Sequence, residues 1–534
     1  MDLAPPPSAP PRVRRTLGEL LPQGTLGGDL ALAALPVAGL ADDSRRVRPG
    51  ALFFALPGLR HDGLAYASQA AAAGAVAVVA GAPATLCGAQ GQAVPCVVVS
   101  DPVAALGQAA SRWHGEPSAR LALVGITGTN GKTTTAFLLE AILRATTHRP
   151  GLLGTVCYRW EGHSEPAPFT TPTALVVQQA LASMVAAGCD HAVMEVSSHG
   201  LAQGRLWGCR FAVAAFTQLT QDHLDLHGTM QRYFEAKRRL FDEHLRPGGA
   251  AVVHVDGPWG PAMAEAVRAR PELRLIRCSR HDPNAELRLS ALETDLTGLR
   301  GMLHCGGEAQ PFRVPLLGDF NAENLLVAAG CAHALGLGLA QTAAGLGTLR
   351  GVPGRLERVD EGGDDHAVLV DYAHTPDALA RALATLRALA PRRLLVLFGC
   401  GGDRDRGKRP LMGQAAAEGA DLVIVSSDNP RSEPPAAIIA AIVAGVVSAG
   451  ATALTRPEAP DAPRPAYWVE PDRARAIAAA IALLAPGDVL LIAGKGHEDY
   501  QLIAEQRLPF DDRQQARQAL AARPRHQPGG PACG

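Results

Sequence analysis

The chain lacks an excess of either charge. Its 50 lysines and arginines face 51 aspartates and glutamates, so the formal net charge is −1. No overall electric field therefore attracts nucleic acid or an acidic membrane surface. We expect no nucleic-acid partner, and any anion that the protein binds must be held by groups close to it.

The chain also lacks long apolar runs and closely paired cysteines. No run reaches the ~18 residues of a membrane span, and the ten cysteines form no C-x-x-C pair. Scattered cysteines are typical of reduced thiols in a cytoplasm. The Pro/Ala-rich segment 1–11 has no apolar core after it, so we expect no secretory signal. These absences together predict a cytoplasmic protein without a membrane span.

What is present is a large globular chain. It has 534 residues, of which 47% are apolar and 19% charged, enough to build real cores. At one domain per ~150 residues, this length predicts about three to four domains. Residues 17–112 carry short β-like runs around Ala-rich helical segments, which indicates a small α/β unit. It contains polar loops around Ser44 and at 57–63. On the residues alone, a helix cap and a glycine turn explain these loops without a binding role.

A glycine-rich loop is the strongest single feature. Gly125-Ile-Thr-Gly-Thr-Asn-Gly-Lys-Thr-Thr134 lies between the apolar run 121–126 and the amphipathic run 133–146. A strand, a glycine turn and a helix direct backbone N–H groups at an anion, and Lys132 adds a charge. Ile126 replaces the first glycine of the usual P-loop pattern, so we expect Gly125 and Gly128 to supply the bends. The loop predicts a triphosphate site; a plain chain-reversing turn would not need Lys132.

Two charged residues follow on predicted buried elements. The run 191–196 reads as a buried strand that delivers Glu195 at its carboxyl end, where a carboxylate can hold the Mg²⁺ of a nucleotide. The alternative is a surface glutamate at a strand end. Residues 230–246 read as a helix with Lys237 on its apolar face. That lysine either has a functional role or extends its ammonium to water.

The C-terminal third repeats the α/β pattern. Four buried strands are predicted, and each ends in a polar loop, at 371–377, 399–409, 427–431 and 494–498. These loops are rich in acids and arginines, and loops at the carboxyl ends of parallel strands converge on one crevice. The predicted fold class is therefore α/β with three domains, a central P-loop ATPase-type parallel sheet flanked by a small N-terminal α/β domain and a C-terminal Rossmann-like α/β domain. The expected boundaries are 17–112, 113–352 and 353–522, with disordered tails at 1–16 and 523–534.

Six motifs, in order, resemble those of the Mur ligases. They are Gly-Thr-Asn-Gly-Lys-Thr-Thr at 128–134, Met-Glu-Val-Ser-Ser-His-Gly-Leu at 194–201, Asp-His-Leu-Asp at 222–225, Tyr-Phe-Glu-Ala-Lys at 233–237, Asp-Tyr-Ala-His-Thr-Pro-Asp at 371–377 and Asp-Asn-Pro-Arg at 428–431. The resemblance covers residues 17 to 521. Within the family, the motif at 428–431 accompanies the enzymes that add meso-2,6-diaminopimelate, whose second carboxylate a guanidinium can pair with bidentately.

The resemblance implies an ATP-dependent amide ligase of cytoplasmic peptidoglycan precursor synthesis. The D-Glu side-chain carboxylate of UDP-N-acetylmuramoyl-L-Ala-D-Glu would form an acyl phosphate, which the diaminopimelate amine then attacks. We expect a monomer that uses Mg²⁺, ATP as co-substrate and a CO₂-derived carbamate on Lys237. The implied catalytic residues are Lys132, Glu195, Lys237 and His223. The implied metal ligands are Thr133, Glu195 and Lys237 as N6-carboxylysine.

The resemblance also implies three sets of binding residues. ATP would contact Gly125, Gly128, Thr129, Asn130, Gly131, Lys132, Thr133, Thr134, Asn321, Arg355, Asp371 and His374. The UDP-sugar peptide would contact Ser44, Thr170, Thr171, Ser197, Gln203 and Arg205. The amino acid would contact Arg404, Asp428, Asn429, Pro430, Arg431, Gly494 and Glu498.

Departures and alternatives remain. Gln218 and Gln221 stand where the family usually has Asn and Arg, so an adenine or phosphate contact there is expected to differ. Residues 451–466 read as a lengthened surface loop. The alternatives are the lysine-adding version of the same ligase, a folylpolyglutamate synthetase-like ligase and a non-catalytic nucleotide-binding scaffold.

Overall fold

The computed structural model describes residues 15–21, 25–58, 62–222, 224–360, 366–389, 391–456 and 464–523. They divide into two compact units. The first unit comprises the chain up to residue 288 with 304–308 and 323–345. The second unit comprises 289–303, 309–322 and the chain from 346 onward.

The first unit begins with a small four-stranded sheet. Its strands are all parallel, and their order across the sheet follows the chain. They are Gly39–Ala41, Ala51–Phe54, Ala77–Ala80 and Cys96–Val98. The accompanying helices are Leu17–Leu20, Leu30–Ala33, Ala67–Ala72 and Pro102–Trp113, with 3-10 turns at Ser44–Arg46 and Gly63–Tyr66. Leu52, Phe54 and Leu106 are in one core cluster, as the apolar runs predicted.

Two residues assigned to the disordered N-terminal tail are ordered, so that prediction is wrong for them. Arg15–Thr16 forms a strand that pairs with Pro36–Val37 in antiparallel fashion. Thr16 then caps the helix Leu17–Leu20 through a capping box with Glu19, which satisfies otherwise unpaired helix N–H groups. A second short hairpin pairs Leu86–Cys87 with Ala93–Val94.

The largest sheet carries the glycine-rich loop. In spatial order the first unit contributes His163–Pro166, Cys157–Trp160, Pro150–Leu153, His191–Glu195, Ala122–Thr127, Phe211–Phe216, Leu245–His254 and Arg274–Ser279. Neighbouring strands from Pro150–Leu153 to Arg274–Ser279 are parallel. At the sheet edge, Cys157–Trp160 pairs in antiparallel fashion with both Pro150–Leu153 and His163–Pro166. The predicted parallel sheet is therefore confirmed. Three further strands, which the sequence analysis did not predict, are Leu287–Asp295, Gly298–Cys305 and Glu308–Val314.

Helices alternate with these strands, as expected for a parallel sheet. They are Lys132–Arg144, Ala174–Ala186, Ser198–Ala202, Leu224–His227, Met230–Arg239, Gly260–Arg268, Phe320–Ala334 and Leu339–Leu346.

The helix predicted over residues 230–246 ends earlier than expected. The α-helix spans Met230–Arg239, a single π turn covers Leu240–His244, and a strand starts at Leu245. Pro247 disfavours helical geometry at Arg246 and provides no N–H, so the helix cannot extend to residue 246.

The second unit is built on a seven-stranded sheet. Its spatial order is Glu357–Arg358, Ala367–Asp371, Asp488–Ala493, Arg393–Phe398, Leu422–Val425, Ala466–Val469 and Thr452–Ala453. All neighbours are parallel except the first pair. The helices are Pro376–Arg387, Lys408–Gly419, Pro435–Ser448, Arg473–Ala482 and Asp512–Ala522, and Tyr500–Ile503 pairs with Gln506–Pro509 in a hairpin.

The central strands of this sheet are apolar throughout because both faces are covered. Leu394, Val396 and Phe398 are in one core cluster, whereas Leu395 and Leu397 are in another. Side chains alternate across a strand, so an uninterrupted apolar run is what a doubly covered parallel strand needs.

The sheets at 39–98, 122–279 and 357–493 confirm the three α/β domains. The boundaries at 112 and 352 stay predictions, and 451–466 is described only outside 457–463. Within the described residues, no helix combines the length and apolarity needed to span a membrane.

A buried ion pair ties the last helix to the second unit. Arg473 and Asp512 have fully buried side chains 2.7 Å apart, and Arg473 also donates to the carbonyl oxygen of Ala493 at 2.9 Å. Burial of both charges is costly, and their mutual contact offsets that cost. Removing one partner leaves the other charge buried without compensation.

We therefore predict that Asp512→Ala lowers the free energy of unfolding of the second unit by about 3–5 kcal/mol. Arg475→Ala is the matched control, because Arg475 pairs with Glu470 at the surface and such pairs contribute up to about 1 kcal/mol. Urea denaturation of the three proteins measures the difference. Equal losses for the two variants would contradict the prediction.

Candidate active site

The glycine-rich loop passes directly from the strand Ala122–Thr127 into the helix Lys132–Arg144. Gly131 caps that helix with φ at 87°, and a Cβ there would lie 2.1 Å from Asn324 Oδ1. Glycine is therefore required at this turn. The Lys132 ammonium donates to the carbonyl oxygens of Gly128 and Thr129, at 2.9 and 2.8 Å. The loop combines a positive helix end with a lysine, which is the arrangement that binds phosphate.

Gly125 does not bend the chain, contrary to the prediction. It lies inside the strand Ala122–Thr127, and a Cβ there would lie 2.7 Å from the Phe211 ring. Its small size serves close packing between neighbouring strands. Gly128, with φ at 155°, is the residue at which the loop leaves the strand.

The loop is anchored on the segment after Phe211–Phe216. The Thr217 hydroxyl donates to the Asn130 carbonyl oxygen at 2.7 Å, and the Thr129 hydroxyl donates to the Thr220 carbonyl oxygen at 3.1 Å. The Thr129 N–H donates to the Gln218 carbonyl oxygen at 2.8 Å. Gln218 therefore holds the loop through its backbone, a bond that does not depend on glutamine replacing asparagine.

Glu195 is the centre of a buried polar cluster beside the loop. It ends the strand His191–Glu195, as predicted, and is fully buried. Its Oε2 accepts from the Thr133 hydroxyl and from the Thr155 hydroxyl, both at 2.9 Å, and its Oε1 accepts from the Thr155 N–H at 2.8 Å. A Cβ on Gly154 would lie 2.3 Å from Oε1. The surface-glutamate alternative is therefore wrong.

Thr155 is a site residue that the sequence analysis missed. It follows the strand Pro150–Leu153, and its hydroxyl lies 3.0 Å from that of Thr170 as well as contacting Glu195. The signal was available, since Gly154-Thr155 directly follows a buried strand at the edge where ligands bind in parallel sheets.

Lys237 is buried, as the helix pattern predicted. Its side chain is 1% exposed, which excludes the alternative of an ammonium extended to water. The amine donates to the Gly128 carbonyl oxygen at 2.9 Å and lies 4.5 Å from the centre of the Tyr233 ring. Burial, and then the charge of Lys132, lower the pKa of Lys237 well below its usual value, and Asp222 opposes the shift. The amine is therefore readily deprotonated.

Five of the six residues predicted for the UDP-sugar peptide surround Glu195 or its strand end. The Thr171 hydroxyl donates to the Glu195 carbonyl oxygen at 2.9 Å and accepts from the Ser197 N–H at 2.9 Å. Arg205 donates to the Thr171 carbonyl oxygen at 2.6 Å and to Gln203 Oε1 at 2.7 Å. Thr170 completes the group through Thr155.

Ser44 lies in a different part of the first unit. Its hydroxyl donates to Gln69 Oε1 at 3.0 Å within a cavity of about 660 Å³ on the small N-terminal sheet. Asp43 accepts from the Arg45 N–H and caps the turn there, as the capping alternative expected. Residues 59–61 of the neighbouring loop lie outside the described residues, as does His223.

In the second unit, Asp371, Arg355 and His374 form a polar group in which Asp371 and Arg355 are partly buried and His374 is exposed. Asp371 accepts from the N–H groups of Leu356 and Ala373, at 2.7 and 2.8 Å. Burial raises the pKa of Asp371, and the Arg355 guanidinium opposes that shift. His374 Nδ1 lies 2.8 Å from the Tyr372 carbonyl oxygen, and desolvation lowers the pKa of His374. Asn321 is buried and donates to the Leu317 carbonyl oxygen at 2.7 Å.

Three of the polar loops in the second unit meet at Asp-Asn-Pro-Arg 428–431. Asn429 donates to Glu498 Oε2 at 2.9 Å, and a Cβ on Gly494 would lie 2.7 Å from Asp428 Oδ2. Arg431 donates to the Gly402 carbonyl oxygen at 2.7 Å. The predicted convergence of these loops at the carboxyl ends of the strands is therefore confirmed. A Cβ on Gly401 would lie 2.9 Å from Arg431 Nη1 and 3.7 Å from Arg404 Cγ, so both guanidinium side chains flank this glycine.

Arg431 is held in an unusual backbone conformation. Its φ is 52°, in the left-handed region that non-glycine residues rarely adopt. The Arg431 N–H donates to the Leu502 carbonyl oxygen at 2.9 Å, and the Arg431 carbonyl oxygen accepts from the Ala504 N–H at 2.7 Å. The hairpin Tyr500–Ile503 and Gln506–Pro509 thus fixes the arginine, and strain of this kind is typical of binding positions.

Lys495 is the second residue that the sequence analysis missed. Its side chain is fully buried, and its ammonium lies 3.1 Å from Glu498 Oε2, 3.4 Å from Asn429 Oδ1 and 3.9 Å from Asp428 Oδ1. One cation therefore contacts three residues predicted to bind the amino acid. Its place in the loop 494–498 was visible, but its burial was not.

Comparison with known proteins gives matches along most of the chain. Residues 36–114 match the family described as "Mur ligase family, catalytic domain". Residues 126–332 match "Mur ligase middle domain", and residues 354–496 match "Mur ligase, glutamate ligase domain".

Full-length relatives agree. The UDP-N-acetylmuramoyl-L-alanyl-D-glutamate--2,6-diaminopimelate ligase of Gloeobacter violaceus is 47% identical over 92% of this chain and 95% of that protein. The protein of the same name from Solibacter usitatus is 43% identical over 96% of this chain and 99% of its own. A solved structure under the same name has a TM-score of 0.69 and 35% identity, covering 92% of this chain and 96% of that one. The chain therefore belongs to the Mur ligase family.

Proposed function

We propose that this protein is an ATP-dependent ligase that joins meso-2,6-diaminopimelate to the D-Glu side-chain carboxylate of UDP-N-acetylmuramoyl-L-Ala-D-Glu. The observation that carries the proposal is that each substrate has matching groups. A phosphate loop lies beside the buried Glu195 cluster in the first unit, and the restrained Arg431 lies among amine-binding groups in the second. The names of the full-length relatives support the same activity.

The first chemical problem is repulsion between two anions. A carboxylate oxygen must attack the γ-phosphorus of ATP, and two unit charges 4 Å apart repel by about 4 kcal/mol at an effective dielectric near 20. Lys132 and the loop N–H groups offset that charge at the phosphate. A new carboxyl O–P bond forms, the bond to the ADP oxygen breaks, and the product is an acyl phosphate.

The residues beside the loop fit a magnesium ion. The Thr133 hydroxyl and the Glu195 carboxylate are hard oxygen donors 2.9 Å apart, the type of ligand that Mg²⁺ takes. Bound Mg²⁺ neutralises phosphate charge. Tyr233 and Thr129, whose oxygens lie 3.2 Å apart, close the site next to Lys237.

A carbamate on Lys237 explains why an amine is buried there. Nitrogen of the neutral amine adds to the carbon of CO₂, an N–C bond forms, and the nitrogen loses a proton. The side chain thereby changes from a potential cation, repelled by Lys132, to an anion that can ligate the metal. The lowered pKa of Lys237 supports this step, because only the deprotonated amine reacts.

The second half of the reaction uses the diaminopimelate amine. Its nitrogen attacks the acyl carbon, a C–N bond forms, and the C–O bond to phosphate then breaks while the nitrogen loses a proton. The Glu498 and Asp428 carboxylates are suited to an ammonium group of this amino acid, and the Asn429 amide N–H can donate to a carboxylate. Arg431 offers a planar fork for the far carboxylate, which lysine lacks.

The alternative functions account for fewer of these site residues. A lysine-adding enzyme would gain nothing from a guanidinium restrained at Arg431. A folylpolyglutamate synthase from Mycobacterium tuberculosis shares the fold at TM-score 0.56 and 21% identity over 73% of this chain, and its likeness concerns the fold alone. A non-catalytic scaffold would not need a buried Lys237 whose pKa is lowered. The free thiols of the nine described cysteines support a cytoplasmic site of action; the monomeric state stays a prediction.

We predict that phosphate release from ATP requires both the UDP-linked dipeptide and diaminopimelate. Leaving out either substrate should reduce release to background, because the acyl phosphate needs the acid and its turnover needs the amine. A coupled phosphate assay measures this. Release equal in rate with lysine and with diaminopimelate would contradict the proposed specificity.

We predict that Lys237→Ala abolishes turnover and that excess bicarbonate does not restore it, since no amine remains to add CO₂. The exposed neighbour Arg238→Ala should retain activity. With ¹³C-bicarbonate, a carbamate NMR signal should appear in wild type and in Arg238→Ala and be absent in Lys237→Ala. As pH falls through the pKa of Lys237, protonation removes the reactive amine, so signal and activity should decline together. Activity of Lys237→Ala above about a tenth of wild type would refute the ligand role.

We predict that Arg431→Ala raises the KM for diaminopimelate at least about tenfold and leaves the KM for ATP within about twofold, since one charge-assisted pair contributes about 1.5–3 kcal/mol. Arg431→Lys keeps the charge but loses the planar guanidinium fork, so its KM for diaminopimelate should lie between those of wild type and Arg431→Ala. Steady-state kinetics with each substrate varied in turn provide the measurement. Equal changes for both substrates would show that Arg431 is no specificity contact.

A further inference from the structure

A cluster of two histidines and an aspartate lies outside the groups described so far. Asp190 and His191 are at the start of the strand His191–Glu195, and His148 precedes the parallel neighbour Pro150–Leu153. Glu195 and Thr155 are at the other ends of these two strands. The cluster is therefore at the amino edge of the sheet, opposite the edge that carries the phosphate loop.

The three side chains point their ligand atoms at one another. His148 Nδ1 lies 2.7 Å from Asp190 Oδ2, and His191 Nδ1 lies 3.0 Å from Asp190 Oδ1. All three ligand atoms are within 4.8 Å of one another. Ligands bound tetrahedrally at the usual zinc distances are roughly 3.4 Å apart. The atom pairs, at 2.7, 3.0 and no more than 4.8 Å, would thus have to shift by no more than about 1.4 Å for one ion to replace these direct contacts.

His191 is the buried member of this cluster. The residue is 7% exposed, and among the described residues its Nδ1 has no hydrogen-bond partner of acceptable geometry, although it points at Asp190. Its contact with Asp190 Oδ1 is therefore a close ion-pair contact at 3.0 Å that lacks good hydrogen-bond geometry, and a bound cation could take its place. Asp190 is oriented separately, because its Oδ1 accepts from the Arg149 N–H at 2.8 Å. Such a hydrogen bond fixes a carboxylate as outer contacts do in metal sites.

We propose that His148, Asp190 and His191 form a binding site for a divalent d-block cation of the zinc class. Imidazole nitrogen suits zinc, nickel or copper, whereas magnesium prefers oxygen ligands alone. His148 is 31% exposed and Asp190 is 46% exposed at the side chain, so water can fill a fourth position. The ion joins the starts of two adjacent strands and stabilises the sheet at the edge away from the reaction. This inference is independent of the proposed ligase activity.

The test uses the full-length protein stripped of metal with a chelator. Zn²⁺ is titrated by calorimetry into wild type, His148→Ala and His191→Ala. His163→Ala is the control, because His163 is a half-buried histidine of the same sheet that pairs with Glu165 at 3.6 Å. We expect wild type and the control to bind one Zn²⁺ that each cluster variant binds at least about tenfold more weakly. His191 is buried, so His191→Ala could fail to fold. His148 is partly exposed, and His148→Ala decides the test in that case.

Two further readouts separate this site from the magnesium site. Zn²⁺ should raise the melting temperature of wild type and not of His148→Ala, because a ligand that binds only the folded state stabilises it. Mg²⁺ should not displace the ion, and His148→Ala should keep wild-type turnover. Equal Zn²⁺ affinity and equal melting shifts in wild type and His148→Ala would overturn the proposal, as would displacement of Zn²⁺ by millimolar Mg²⁺.

Discussion

Two lysine amines share one carbonyl oxygen, and this constraint governs the chemistry of the first unit. Lys132 and Lys237 both donate to the Gly128 oxygen at 2.9 Å. Burial, and then the charge of Lys132, lower the pKa of Lys237 well below its usual value. Lys237 is 1% exposed whereas Lys132 is only partly buried, so the neutral form is favoured at Lys237. The fold thus creates a reactive amine without any dedicated base.

The surrounding backbone has little freedom to relax this arrangement. Gly131 and Gly154 each lie where a Cβ would collide with a polar side chain of the site, Asn324 and Glu195 respectively. Thr155 and Thr133 in turn fix both oxygens of Glu195. The polar cluster is therefore preorganised by sheet packing, and the cost of burying its charges is met by hydrogen bonds within it.

The sequence was informative where chemistry follows local pattern. Apolar runs predicted the strands that carry Glu195 and the Asp-Asn-Pro-Arg loop, and helical spacing predicted that Lys237 is buried. It was less informative where the answer depends on contacts distant in sequence. Gly125 looked like a loop residue, yet the Phe211 ring on the next strand explains it. Lys495 was recognisable only as part of the polar loop 494–498, and its burial was not predicted because its partners at 428 and 429 come from another loop.

The left-handed backbone at Arg431 links the guanidinium proposed to select the substrate to the conformational energy of the loop. Non-glycine residues in this region cost about 1–3 kcal/mol, and asparagine tolerates it better than arginine. A lineage that replaced this arginine by asparagine would relax the loop and lose the guanidinium in a single step. The loop is thus more strained with arginine than it would be with asparagine, and the guanidinium is retained at a cost in conformational energy.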